Sequence, residues 1–205
     1  MPSTSPEDRE AKRLRILMAA ATEFAEYGFN NTSIEKIAER ANIGKGTVYN
    51  YTHSKEQLFA ECLQHFCEEL LNLFEVTMTG DSELTVLQRI PVLSDKLADL
   101  ANRRKDFVTL FFRSIFGASG VGRDLAVQSA REIISGIERL IVQGQGMGIV
   151  RKDASAALMA SMVFMNRLIF SRMLDSLELL DHTHAEQAMF LYEVHWRGFK
   201  TEPAL

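Results

Sequence analysis

The chain has 205 residues, 46% of them apolar and 24% charged, the ordinary balance of a water-soluble globular protein. Four Pro and 12 Gly leave room for long helices and exclude low-complexity linkers, and the longest apolar run, Ala156 to Met165 broken by Ser161, is too short to cross a bilayer. The net charge of −4 argues against nucleic acid in bulk, but its distribution does not: Arg9 to Lys55 holds eight Lys/Arg against five Asp/Glu, whereas Glu56 onward holds fifteen against twenty. A balance of +3 in the first quarter permits DNA binding without establishing it. Cys62 and Cys67 point in different directions on a helix and are poorly placed for a disulfide. The opening Met-Pro-Ser-Thr-Ser-Pro has no secretory pattern, so the expected compartment is the reducing cytoplasm.

In chain order, a polar arm over residues 1–9 with two prolines precedes a helix whose apolar stripe is Leu14, Leu17, Met18, Ala21, Phe24 and Ala25. Gly28 stands where a left-handed C-terminal residue belongs. Thr32-Ser33-Ile34-Glu35 reads as a capping box for a short helix through Ile34, Ile37, Ala38 and Ala41. Asn42-Ile43-Gly44 breaks that helix, and Lys45 to about Tyr51 forms another with Val48 as its inward residue. Ser54-Lys55-Glu56-Gln57 is a second capping box, opening a long helix to about Thr77. Two short helices joined by a tight turn and packed by a preceding one form a helix-turn-helix arrangement.

The remaining segments are also helical. Pro91 interrupts the stretch Glu83–Arg104, Phe107–Phe116 is short and aromatic, and Asp124–Gln143 ends at a glycine-rich stop. Asp153 is expected to cap a long apolar helix to about Leu179, and His184–Phe199 is the last. No alternating strand pattern competes with these helices, so the expected class is all-α, with about nine helices. A three-helix helix-turn-helix domain at 10–53 precedes a larger helical domain at 54–205.

Residues 16–59 resemble the DNA-binding domain of the TetR/AcrR family. The matching pieces are Ile16-Leu17, Ala20-Ala21, Phe24, Gly28-Phe29, Thr32-Ser33-Ile34, Ile37-Ala38, Gly44-Lys45-Gly46-Thr47-Val48-Tyr49, Tyr51 and Ser54-Lys55-Glu56-Gln57-Leu58. The resemblance implies a transcriptional regulator that binds double-stranded operator DNA as a dimer. It implies repression relieved by a small, largely hydrophobic effector, and a homodimer through the last two helices. In a helix-turn-helix the second short helix enters the major groove, N-terminal residues toward the bases. Gly44 and Gly46 would let backbone amides approach phosphate, and Lys45 supplies charge there. Tyr49, Asn50 and Tyr51 offer hydroxyls and an amide, with one tyrosine facing the first helix. Thr47 and Asn50 are the candidates for base readout. Lys55 and Thr32 or Ser33 are expected at phosphates. Two positions depart from the family: Gly44 replaces a common Ser, and Thr52 a common Phe, for which Phe59 or Tyr51 compensates.

The larger domain is rich in Phe and Met. Most of these are core, and the family places its effector among them. Candidate ligand residues are His65, Phe66, Phe107, Phe111, Arg113, Met162, Asn166, Arg167 and Phe170. Cys62, His65, Cys67, His182 and His184 lack convergent metal-ligand spacing, so neither metal nor cofactor is expected. An enzyme is disfavoured: the sequence holds no phosphate loop, HExxH or nucleophile elbow. The rival readings are a helical protein-interaction module without DNA binding and a ligand-dependent activator.

Overall fold

The computed structural model describes residues 5–79, 86–117, 120, 122–177, 186, 190, 193–194 and 197–199, with backbone alone at 86–87, 167 and 170–177. Among these residues the chain is helical and contains no strand. It forms two compact units, Met1–Glu68 with Asp106–Val127 and Glu69–Lys105 with Gln128–Leu205.

In the first unit, α1 spans Pro6–Asn31. It begins earlier than predicted because Ser5 and Asp8 form a reciprocal capping box and Pro6 occupies the first turn, where its missing N–H is no loss. Gly28, at φ 77° and ψ 167°, breaks the helix in a conformation beyond the predicted left-handed one, open only to glycine. Thr32 is 3% exposed, and its hydroxyl meets the carbonyls of Glu23 (3.0 Å) and Gly28 (2.9 Å). The cap of α2 (Ile34–Arg40) therefore falls to Ser33, which accepts from the Lys36 amide, and the predicted Thr32–Glu35 box does not form. Asn42, at φ 53°, turns the chain toward α3 (Lys45–Tyr49). α4 (Lys55–Thr79) starts at Ser54, whose hydroxyl accepts from the Gln57 amide at 3.1 Å, while the Gln57 side chain accepts from the amide of His53.

Ile16, Leu17, Phe24, Ile37, Val48, Leu58 and Phe66 form the core of this unit. α6 (Lys105–Phe116) adds Phe107 and Phe111, packed against Phe66. Each such ring contributes about 2–3 kcal/mol on burial. α6 is tied to α1 by the Thr22 hydroxyl donating to Asp106 at 2.6 Å and by Arg113 Nη1 donating to the Phe24 carbonyl at 3.2 Å. Arg40 bridges α2 to α1 through Glu23 and Glu26, each at 2.6 Å. Phe59 packs edge-on against Phe24 and Phe29, and Thr52 is 1% exposed.

In the second unit, α5 (Val86–Arg103) continues through Pro91 and packs against α8 (Ala156–Leu177). α7 (Arg123–Gly146) approaches α4 so closely that a methyl group at Gly136 would overlap the Phe74 ring. Arg104 pairs with Glu69 at 2.7 Å. The cap of α8 is Ser155, which accepts from the Leu158 amide, rather than the predicted Asp153. Asp153 is held by Arg151, whose hydrogen bonds keep its carboxyl below the usual range. Phe199 is buried, and its carbonyl accepts from the Arg151 amide at 2.8 Å. Trp196, His182 and His184 lie outside the described residues.

Candidate nucleic-acid interface

α3 is anchored by Val48, which is fully buried, and the rest of the helix turns outward. Gly44, Lys45, Gly46, Tyr49 and Asn50 are exposed, and Thr47 is half-buried. A side chain at position 46 would meet nothing within 4 Å, so the backbone there is open to a docking surface. Tyr49 is 44% exposed, with the Lys45 ammonium beside its ring.

Lys45 forms an ion pair with Glu35 of α2 and lies 5.8 Å over the Tyr49 ring. The hydrogen bond from Lys45 is the main reason the Glu35 carboxyl is lowered to about 2, and it raises the Lys45 ammonium in turn. The pair is thus fully ionised near neutral pH. A phosphate approaching Lys45 must compete with Glu35.

Lys55 is placed differently. Its ammonium donates to the carbonyls of Phe29 (2.9 Å) and Thr32 (3.0 Å) and lies 4.5 Å over the Phe29 ring. Two of its three donors therefore close the end of α1, leaving one for an external acceptor. Of the two hydroxyls expected at the start of α2, that of Thr32 is engaged internally, and Ser33 is half-buried at the helix cap.

Tyr51 is the tyrosine turned toward the first helix. With Asn50 it lines a polar cleft of about 400 Å³ whose other wall is Pro6, Arg9, Glu10 and Arg13 of α1. Sequence reasoning missed Arg9 and Arg13 as part of this surface. The run Arg9, Lys12, Arg13, Arg15 was the available signal, obscured because residue 9 was assigned to an arm. On α2, Lys36 lies 5.0 Å over the Tyr27 ring.

The ligand candidates fall into both units. His65, Phe66, Phe107 and Phe111 come together in the first, where Phe66, Phe107 and Phe111 are at most 1% exposed and His65 is 5.7 Å from Phe107. Arg113 lies apart from them at the mouth of a cavity beside α1. Met162, 48% exposed, and half-buried Asn166 lie on α8 in the second unit. The side chains of Arg167 and Phe170 lie outside the described residues.

Two short helices around a left-handed Asn turn, buttressed by α1 and presenting an exposed face of glycine, lysine, tyrosine and asparagine, define a helix-turn-helix DNA-binding head. Residues 16–62 match the family described as bacterial regulatory proteins, tetR family. The chain is 22% identical over 152 residues to the HTH-type transcriptional repressor DhaR of Mycobacterium sp. (strain GP1), covering 74% of this chain and 76% of that protein. It is 28% identical over 102 residues to the HTH-type transcriptional repressor KstR2 of Rhodococcus jostii (strain RHA1), spanning about half of each chain (49% and 50%). The ketosteroid transcriptional regulator KstR2 of Mycobacterium tuberculosis has a similar fold, with TM-score 0.78 and 19% identity, covering 98% of this chain and 100% of that one. The fatty acid degradation regulator FadR of Bacillus halodurans superposes with TM-score 0.73 at 16% identity, over 91% and 95% of the two chains. The family match thus covers the helix-turn-helix segment, and the likeness to the solved structures extends the shared fold over nearly the whole chain. Among the described residues no helix is long and apolar enough to cross a membrane.

Proposed function

We propose that the protein is a repressor that binds a palindromic operator as a homodimer and is released by a small, largely hydrophobic ligand. The outward face of α3 and its cap carries this reading, because Lys45, Gly46, Tyr49 and Asn50 are all exposed there, on the side opposite the buried Val48. Thr47 and Asn50 are assigned to base edges. Lys45, Tyr49, Tyr51, Ser33, Lys55 and the amides beside Gly44 and Gly46 are assigned to phosphates, with Arg9 and Arg13 extending that surface.

Exposed apolar residues on the last helices support the dimer. Leu158 (68% exposed) and Met162 (48%) are one turn apart on α8, and Phe190 (61%) and Val194 (50%) repeat the spacing near the C-terminus. A two-fold copy would cover both pairs, as in a four-helix interface. The Phe- and Met-rich composition of the second half supports an apolar effector, as do relatives described as ketosteroid and fatty acid degradation regulators. α4 passes from one unit into the other, so a ligand with unequal affinity for two arrangements of α4 would change the separation of the recognition helices.

Selection of bound fragments from the source genome, followed by mass measurement of the complex, tests this reading. The expected fragments are inverted repeats with half-sites about 34 Å apart, carrying an even number of chains and blocking transcription in vitro. A single unrepeated site with one chain, or stimulated transcription, would contradict it. Absence of any enriched DNA would favour the protein-interaction reading.

A further inference from the structure

Beside the C-terminal end of α1, wholly within the first unit, lies a cavity of about 370 Å³. Its walls include the rings of Phe24, Phe29 and Phe59 and the side chain of Leu110, and its polar groups include Arg113 and Ser114. The three rings pack on one another at 5.0 to 5.9 Å, forming a continuous apolar surface. Ser114 is only 8% exposed, yet its buried hydroxyl has no hydrogen-bond partner among the described residues. A buried hydroxyl left in that state is unfavourable, so a further acceptor or donor at this position would be stabilising. Arg113 gives Nη1 to the Phe24 carbonyl at 3.2 Å and pairs with no carboxylate among the described residues. Its other donors stay available at the same opening.

We propose that this cavity binds a small amphipathic carboxylate, its apolar, ring-sized body lying on the Phe24–Phe29–Phe59 surface and its carboxylate on Arg113 and the Ser114 hydroxyl. A planar guanidinium fork matches a carboxylate in shape and charge, and a single arginine among aromatic walls suits a monovalent acid better than a phosphate ester. The volume lies at the small end of the range for ligand sites and accommodates one ring with a short chain. The cavity also borders Gly28 and Phe29, and the Phe29 carbonyl is one of the two that hold Lys55. An occupant would therefore press on the junction that positions α2, inside the DNA-binding unit itself. The site shares no residue with the α8 candidates Met162 and Asn166, and binding can be read without any DNA. Its failure is thus separable from failure of the repressor reading.

The test titrates the full chain with 4-phenylbutyrate and with its neutral analogue 4-phenylbutan-1-ol, by calorimetry and by amide chemical shifts. The acid is expected to bind about tenfold more tightly than the alcohol, with the largest shifts at Phe29, Arg113 and Gly117. Arg113→Gln is expected to remove that preference, and Ser114→Ala to weaken the acid by about threefold. Because Arg113 also supports the Phe24 carbonyl, Ser114→Ala provides the second variant, whose folding is checked by an unchanged melting temperature. Equal binding of acid and alcohol, no binding of either, unaffected binding in both variants, or shifts confined to residues 156–166 would each overturn the proposal.

Discussion

Lys45 and Lys55 look alike in the sequence, ten residues apart in one basic segment, yet their ammonium groups face different acceptors. Lys45 is exposed and engaged with Glu35, whereas Lys55 is half-buried on two backbone carbonyls. Lys45→Ala should therefore weaken DNA binding and reduce the slope of log K against log salt by about one, leaving the melting temperature unchanged. Lys55→Ala should lower stability by about 1–2 kcal/mol as well, read as an earlier denaturant midpoint. Glu35→Gln removes the competitor for Lys45 and should tighten DNA binding about threefold or more at low salt. The sign of the pH effect follows from a depressed carboxyl. The Glu35–Lys45 contribution is complete above the ordinary value of 4.5 and fades as pH falls toward about 2, so a binding titration near neutral pH should show no step from this pair. The motif singled out both lysines. It could not reveal what Lys55 holds, because the Phe29 carbonyl is 26 positions away in sequence.

At the scale of elements, apolar periodicity located every bounded helix among the described residues, and the errors lie at the ends. Thr32 and Ser33 both have cap chemistry, and burial of Thr32 against α1 decides between them. Asp153 was lost to Arg151 in the same way, by a short-range ion pair that outcompetes a helix amide. Two glycines give opposite tests. Gly46 is helical with open space around it, so Gly46→Ala should stabilise the fold by a few tenths to about 1 kcal/mol while weakening DNA binding, read by melting and by titration in the same preparation. Gly136 faces the Phe74 ring, and Gly136→Val should destabilise by about 1–3 kcal/mol, seen in the denaturant midpoint.

At the scale of the whole molecule, the compact units join segments that lie far apart in the chain. The first unit joins α6 to the helices before Glu68 through a hydrogen bond spanning 84 positions and another spanning 89. Such pairings carry no local pattern: Asp106 and Arg113 read as ordinary charges of a later helix. The same long-range association creates the cavity beside α1, which explains why it was invisible from the motif. The residues assigned to DNA could be proposed from sequence because a helix-turn-helix keeps its working groups within a short stretch of chain.

The central claim is that the outward face of α3 binds DNA through charge and shape. It is tested most directly by measuring the affinity of the full chain for its selected duplex across a salt series, beside Tyr49→Ala and the Lys45→Ala variant. The expected result is a steep negative dependence of log K on log salt, with Tyr49→Ala losing about tenfold or more in affinity and Lys45→Ala a shallower slope. A flat salt dependence, or both variants binding as the wild type does, would contradict it.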